Sequence, residues 1–124
     1  MICLSITSDG KQIISGSGDK TIKVWDLKSG KLLQTLKGHT RSVLSLVVSA
    51  DMKNVVSASY DKQLIFWDLT TGKIIRAVSE KKDHVKSIAI SLNENRVLTA
   101  NGSSLISYNV ETGRKLGTIK SENY

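Results

Sequence analysis

The sequence predicts an all-β chain: three copies of one unit, each folded as four short antiparallel strands. Three observations predict it. The first is a repeat. "KVWDLKSGKL" at 23–32 returns as "IFWDLTTGKI" at 65–74 and, more faintly, as "ISYNVETGRK" at 106–115. Trp25 and Trp67 stand 42 residues apart, Trp67 and Tyr108 stand 41 apart, and Gly30, Gly72 and Gly113 keep the same spacings. The second is local texture. Short β-rich runs alternate with turns of two to four residues, no segment sustains a helical period, and proline is absent from all 124 residues. The third is that several runs lack in/out alternation: Leu46-Val47-Val48, Val55-Val56 and Leu64-Ile65-Phe66-Trp67. Runs of this kind suit sheets buried on both faces.

The elements follow in order. In the first copy, "SITSDGKQIISGS" (5–17) aligns with "VVSADMKNVVSAS" (47–59) of the second and "AISLNENRVLTAN" (89–101) of the third. The middle copy, 38–79, is the clearest. "SVLSLVVS" (42–49) is a first strand, "ADMK" a turn, "NVVSAS" (54–59) a second strand and "YDK" a turn. "QLIFWDL" (63–69) is a third strand, "TTGK" a turn, and "IIRAVS" (74–79) a fourth. Strands this short with turns this tight form an antiparallel meander. An isolated four-stranded sheet cannot bury both faces, but a stack of sheets can. Radial stacking of such sheets makes the blades of a β-propeller. The expected segments are a first blade at 1–37, a second at 38–79, a degenerate third at 80–119 and a tail at 120–124.

Composition narrows the function classes. Hydrophobic content of 40% is that of a globular chain. No apolar run approaches a membrane span, and nothing resembles a signal peptide. The single cysteine, Cys3, cannot form an internal disulfide, which fits a cytoplasmic or nuclear home. A net charge of +7 raises nucleic acid or another anionic surface as partner. Most lysines are spread along the turns, where they discourage edge-to-edge pairing. The one cluster, Lys81, Lys82 and Lys86, lacks the interleaved aromatics that stack single-stranded bases.

Gly38-His39, then "SVLSLVVSADMK", "VVSASYDK" and "LIFWD", together with "SDGKQIISGSGDKTIKVWD" in the first copy, resemble the WD-repeat family, over residues 1–119. The resemblance implies a β-propeller of three blades here, a partial ring or one completed by association. It implies a rigid protein-interaction scaffold, with no catalysis and no cofactor. It also implies a hydrogen-bonded structural set within a blade: His39, Ser57, Asp61 and Trp67 in the second copy. The chemistry is coherent. A buried indole N–H needs an acceptor, a hydroxyl supplies it and donates to imidazole, and the other imidazole nitrogen donates to a carboxylate that pins the turn. The first copy keeps Ser15, Asp19 and Trp25, but its His would precede Met1. The third has Glu80-Lys81 in place of Gly-His, a shortened "NGSS" turn without the Asp, Tyr108-Asn109 in place of Trp-Asp, and Thr99 at the hydroxyl position. It is expected to be the least rigid blade.

Ser57, His39 and Asp61 also have the residue types of a nucleophile, base and orienter. Ser57 lies mid-strand, however, rather than on a strained nucleophile elbow, and Ser and Asp recur in the first copy. A metal at His39 or His84 lacks a Cys/His cluster to support it. By the resemblance, partners engage the loop-bearing face near the central channel. The positions there are Arg41, Ser42, Leu44, Tyr60, His84 and Lys86, with Gly18 and Ile2 in the first copy, and Tyr60 is the best single choice. Three blades are fewer than the usual four to eight. The chain is thus expected to be a piece of a longer propeller, to pair with itself into six blades, or to complete another protein's ring. The start at Met1 without a preceding Gly-His favours the first.

Overall fold

A computed structural model of the chain describes residues 3–49, 51–79, 87–91, 96–101 and 104–120. Every element among the described residues is a strand. β1 (Cys3–Ile6), β2 (Gln12–Gly16), β3 (Thr21–Asp26) and β4 (Leu32–Lys37) form the first sheet. β5 (Val43–Val48), β6 (Asn54–Ser59), β7 (Gln63–Asp68) and β8 (Ile74–Ser79) form the second. β9 (Ser87–Ser91), β10 (Arg96–Asn101), β11 (Ser104–Asn109) and β12 (Lys115–Lys120) form the third, so the last strand takes in Lys120. Each sheet is a meander in which every strand pairs antiparallel with the next.

The turns explain why the chain reverses where it does. Before β2 and β6, the carboxylates of Asp9 and Asp51 accept the Lys11 and Lys53 N–H groups and the hydroxyls of Thr7 and Ser49. Between β6 and β7 the loop is Tyr60-Asp61-Lys62, with Lys62 left-handed at φ 65°. A three-residue hairpin loop closes this way. Between β7 and β8, Asp68 accepts the Thr70 and Thr71 N–H groups at 2.9 and 3.3 Å, and Gly72 takes φ 75° to return the chain. A side chain at that φ is strained, and a Cβ here would also run into the Gln34 amide, so both conformation and space favour glycine.

The core lies between sheets, not within one. Ile14, Ile22, Val24 and Leu36 of the first sheet cluster with Val43, Leu46, Val55, Ile65 and Trp67 of the second. Val56, Ala58, Leu64 and Phe66, on the other face of the second sheet, cluster with Val97, Ile106 and Tyr108 of the third. Val55 and Val56 thus serve different cores, as do Ile65 and Phe66. The missing alternation in β6 and β7 follows directly: all six residues of β6 are buried because both faces are covered.

In each sheet the last strand carries a β-bulge against its neighbour. The register shifts at Val24/Trp25, Phe66/Trp67 and Ser107/Tyr108, leaving Leu33, Ile75 and Leu116 as the extra residues. A bulge at the outer strand increases twist and spoils that edge for further pairing.

Candidate functional site

The second sheet gathers the polar side chains that the repeat singles out. Trp67 lies near the end of β7 and faces the first sheet, and Ser57, two residues along from its cross-strand partner Val55, faces the same way. The Trp67 indole N–H donates to Ser57 Oγ at 2.8 Å. His39 arrives from the segment before β5 and places Nε2 2.7 Å from the same oxygen. Its Nδ1 lies 3.0 Å from Asp61 Oδ2. With Nδ1–H donating to the carboxylate, Nε2 accepts the Ser57 proton, and every polar atom has a use. Asp61 Oδ2 also accepts the Thr40 N–H at 2.9 Å, and Oδ1 accepts the Gln63 N–H at 2.8 Å. Among the described residues no buried side-chain nitrogen or oxygen is left without a partner.

The electrostatics are those of a neutral imidazole on a carboxylate. Burial pushes the His39 pKa below its usual value of 6.5 although Asp61 pulls it upward. The two are within ion-pairing distance, with almost no side-chain exposure, yet desolvation of the imidazolium outweighs the attraction. Asp61 itself stays below the ordinary value of 3.8. Burial raises it, but the Thr40 and Gln63 N–H groups and the His39 ring together lower it further.

Ser57 is completely buried, at 0% exposure. Its oxygen is held between an indole and an imidazole, and a substrate carbonyl has no approach to it. In the first sheet Trp25 donates to Ser15 Oγ at 3.0 Å, but Trp25 is only half-buried. Asp19 there serves its own turn, bonding the Thr21 N–H and hydroxyl and lying 3.5 Å from Lys23 Nζ. These bonds hold its pKa at about 2. In the third sheet Thr99 is buried and donates to the Ile106 carbonyl at 3.5 Å, while Tyr108 takes the Trp position and lies 5.6 Å from Phe66, ring to ring.

A second group of residues collects at one end of the second sheet. Val43 N–H donates to Ser17 O and Ser42 Oγ to Gly18 O, joining the entry of β5 to the β2–β3 turn of the first sheet. Ser42 O in turn accepts the Tyr60 N–H at 3.1 Å, and Ser59 Oγ donates to Arg41 O at 3.1 Å. Leu44 is the extra residue of a bulge between Val43 and Ser45. Arg41, Ser42, Leu44, Tyr60 and Gly18 are therefore brought together, with Arg41, Gly18 and Tyr60 exposed, Tyr60 to 46%. His84, Lys86, Lys81, Lys82 and Ile2 lie outside the described residues. No metal-binding group of His, Cys, Asp or Glu occurs among the described residues, and no helix is long and apolar enough to cross a membrane.

Three functional details were missed in the sequence. Gly38 lies against the edge of Trp67 and Ile74, where a Cβ would sit 2.9 Å from both, so the Gly of Gly-His makes room for the Trp of the same blade. Asp68, and Asn109 in the third sheet, cap the turn after the aromatic residue; their place just before the glycine turn was the available signal. Gln34 of β4, with both ends of its amide paired, donates to Leu69 O and accepts the Gly72 N–H, each at 3.1 Å, and so ties one sheet to the next.

Stacked four-stranded meanders, cores between them and a Ser–His–Asp–Trp set inside one define a protein built of propeller blades. The sequence matches the family described as "WD domain, G-beta repeat" over residues 2–26 and 30–68, more than half of its length, and the chain belongs to that family, whose members typically mediate protein–protein contacts. It is 50% identical over 42 residues to guanine nucleotide-binding protein subunit beta-5b of Danio rerio, covering 34% of this chain and 11% of that protein. It is 48% identical over 44 residues to nuclear distribution protein PAC1 of Ajellomyces capsulatus, covering 36% and 10%. Its fold superimposes on the structure of U3-55K with TM-score 0.89 at 23% identity, over 98% of this chain and 39% of that one. The RRP9 WD40 repeats match equally well, over 38% of their chain. The chain thus spans about a tenth of these curated relatives and under two fifths of these solved structures.

Proposed function

We propose that the chain is a non-catalytic scaffold that binds protein partners at the end of the blades where Arg41, Ser42, Leu44 and Tyr60 are gathered. The observation that carries this reading is Tyr60. The residue is 46% exposed, yet its backbone is fixed to Ser42 and its turn is anchored by Asp61, itself tied to the buried His39. An aromatic side chain on a pre-ordered turn offers contact area at low entropic cost. The burial and full pairing of Ser57 support the absence of catalysis. A cytoplasmic or nuclear location belongs to the same proposal.

The test is quantitative capture of proteins by the immobilised chain, comparing wild type with Tyr60→Ala, Arg41→Glu and, at the opposite end, Thr70→Ala. Proteins retained by Thr70→Ala but lost by the first two variants are expected. Equal capture by all four would overturn the placement. The +7 charge keeps one competing reading in the same experiment. Ligands that are nuclease-sensitive and released steeply by added salt would mark a nucleic-acid binder instead.

A further inference from the structure

The net charge of the chain is not spread evenly over the fold. Each sheet ends in a strand that follows a turn glycine, and the segments 31–37, 73–79 and 114–120 run from that turn to the end of the strand. They hold Lys31 and Lys37 in the first sheet, Lys73 and Arg76 in the second, and Arg114, Lys115 and Lys120 in the third, with no Asp or Glu. The eleven Lys and Arg elsewhere equal the chain's eleven Asp and Glu, so these outer segments account for the whole formal charge of +7. The same segments expose apolar side chains. Leu33, Ile75 and Leu116, the bulge residue of each sheet, are 52%, 40% and 48% exposed. This exposure belongs to the outer strand itself: the second sheet is covered on both faces, and Ile74 and Ile75 are still open to solvent. In each sheet a cation stands directly before the apolar residues, Lys31 before Leu32-Leu33, Lys73 before Ile74-Ile75 and Lys115 before Leu116.

We propose that this outer rim is a docking surface distinct from the blade end, and that its occupant is an acidic segment of another protein in which Asp or Glu flank Leu- or Ile-like residues. Both parts of the surface need a match. Exposed ion pairs are individually weak, and burial of Leu33 and Ile75 needs an apolar counterpart. Three sheets repeat the pairing of cation and apolar residue, so a segment lying across neighbouring outer strands gains from each. The bulges turn this edge away from strand addition, which leaves side chains to make the contact. A second copy of the rim would bring like charge against it. Nucleic acid would match the cations, but it leaves the apolar residues without a counterpart, and no Phe, Tyr or Trp stands on these strands to stack a base. Outer strands of radially stacked sheets lie on a curve, which a flat anionic bilayer meets at few places at once.

Defined probes test this on the full chain. They are a labelled peptide repeating Glu-Leu-Leu-Glu, the same peptide with serine for leucine, oligouridylate, and vesicles containing phosphatidylserine. The first three are read by fluorescence anisotropy and the vesicles by co-sedimentation. The leucine peptide is expected to bind more tightly than the other three probes, and less tightly as salt is added. Lys31→Glu combined with Lys73→Glu is expected to weaken it at least about tenfold, and Leu33→Ser about fivefold. Lys11→Glu combined with Lys53→Glu makes the same change in net charge on the turns before β2 and β6, and is expected to weaken it less than about threefold. All five side chains are exposed, so a β-sheet circular dichroism spectrum equal to wild type is expected of each variant. Five results would overturn the proposal: no binding of the leucine peptide, equal binding of the serine peptide, tighter binding of oligouridylate or vesicles, equal loss in the Lys11 and Lys53 variant, or full binding by the folded Leu33→Ser chain.

Discussion

Ser57 Oγ lies 2.8 Å from the Trp67 indole nitrogen, at the centre of a sheet covered on both faces. The same oxygen holds His39 at 2.7 Å, so one hydroxyl serves two rings. Replacing it with Ser57→Ala leaves an indole donor and an imidazole acceptor buried and unpaired. A loss of about 1–3 kcal/mol is expected, read from the urea midpoint at constant slope. Ser15→Ala removes the corresponding acceptor from Trp25, which is half-exposed and can turn to water. Its cost is expected to stay below about 1 kcal/mol.

Acid should weaken the fold in two steps. The folded-state pKa of His39 is lowered from 6.5, so below that pH the unfolded chain takes up a proton that the folded chain refuses. Its contribution is complete above pH 6.5 and is lost as pH falls from there toward the folded-state value. Asp61 is lowered from 3.8, so its contribution is complete above that value and is lost only at still lower pH. Denaturation midpoints measured from pH 8 to pH 2 should show both declines, and His39→Gln should abolish the first and shrink the carboxylate step, which then rests on the Thr40 and Gln63 N–H groups.

Gly38 tests the packing. A Cβ there meets Ile74 and the Trp67 ring at 2.9 Å, and Gly38→Val should cost about 1–3 kcal/mol by forcing the indole from its place. Gly117→Ala is the control, because its nearest new neighbour is Ser107 Oγ at 3.8 Å. A change within about 0.5 kcal/mol is expected there, measured by the same unfolding curves.

The third sheet should open before the second. Thr99 donates its hydroxyl to the Ile106 backbone carbonyl at 3.5 Å, where Ser57 joins an indole and an imidazole, and Leu98 and Ile119 leave one face exposed. Amide hydrogen exchange is expected to be faster in β10 and β11 than in β6 and β7, whose two faces are both covered.

Much of this fold was legible in the chain. β6 and β8 occupy the expected 54–59 and 74–79, and β5 runs 43–48 within the expected 42–49. Strong periodicity and turn chemistry are local signals, and they set these bounds. The runs without alternation in Val55-Val56 and Leu64 to Trp67 announced two-sided burial because each neighbour needs a core of its own. The residues of the polar set could be named by resemblance, but their hydrogen-bond geometry could not. What stayed hidden depends on partners distant in sequence. Gln34 reaches Gly72 across two sheets, Gly38 is shaped by Trp67 and Ile74, and the bulges at Leu33, Ile75 and Leu116 exist only relative to the neighbouring strand. The clustering of Arg41, Ser42 and Tyr60 with Gly18 likewise arises from the docking of one blade on another.

The central claim is that Ser57, His39 and Asp61 hold the Trp67 blade together rather than perform chemistry. The most direct measurement is the exchange rate of the two indole N–H protons by NMR. A structural role predicts that the Trp67 indole exchanges at least about tenfold more slowly than the Trp25 indole, and that Ser57→Ala erases the difference. Equal exchange of the two indoles in the wild-type chain, or slow Trp67 exchange that survives loss of the hydroxyl, would contradict it.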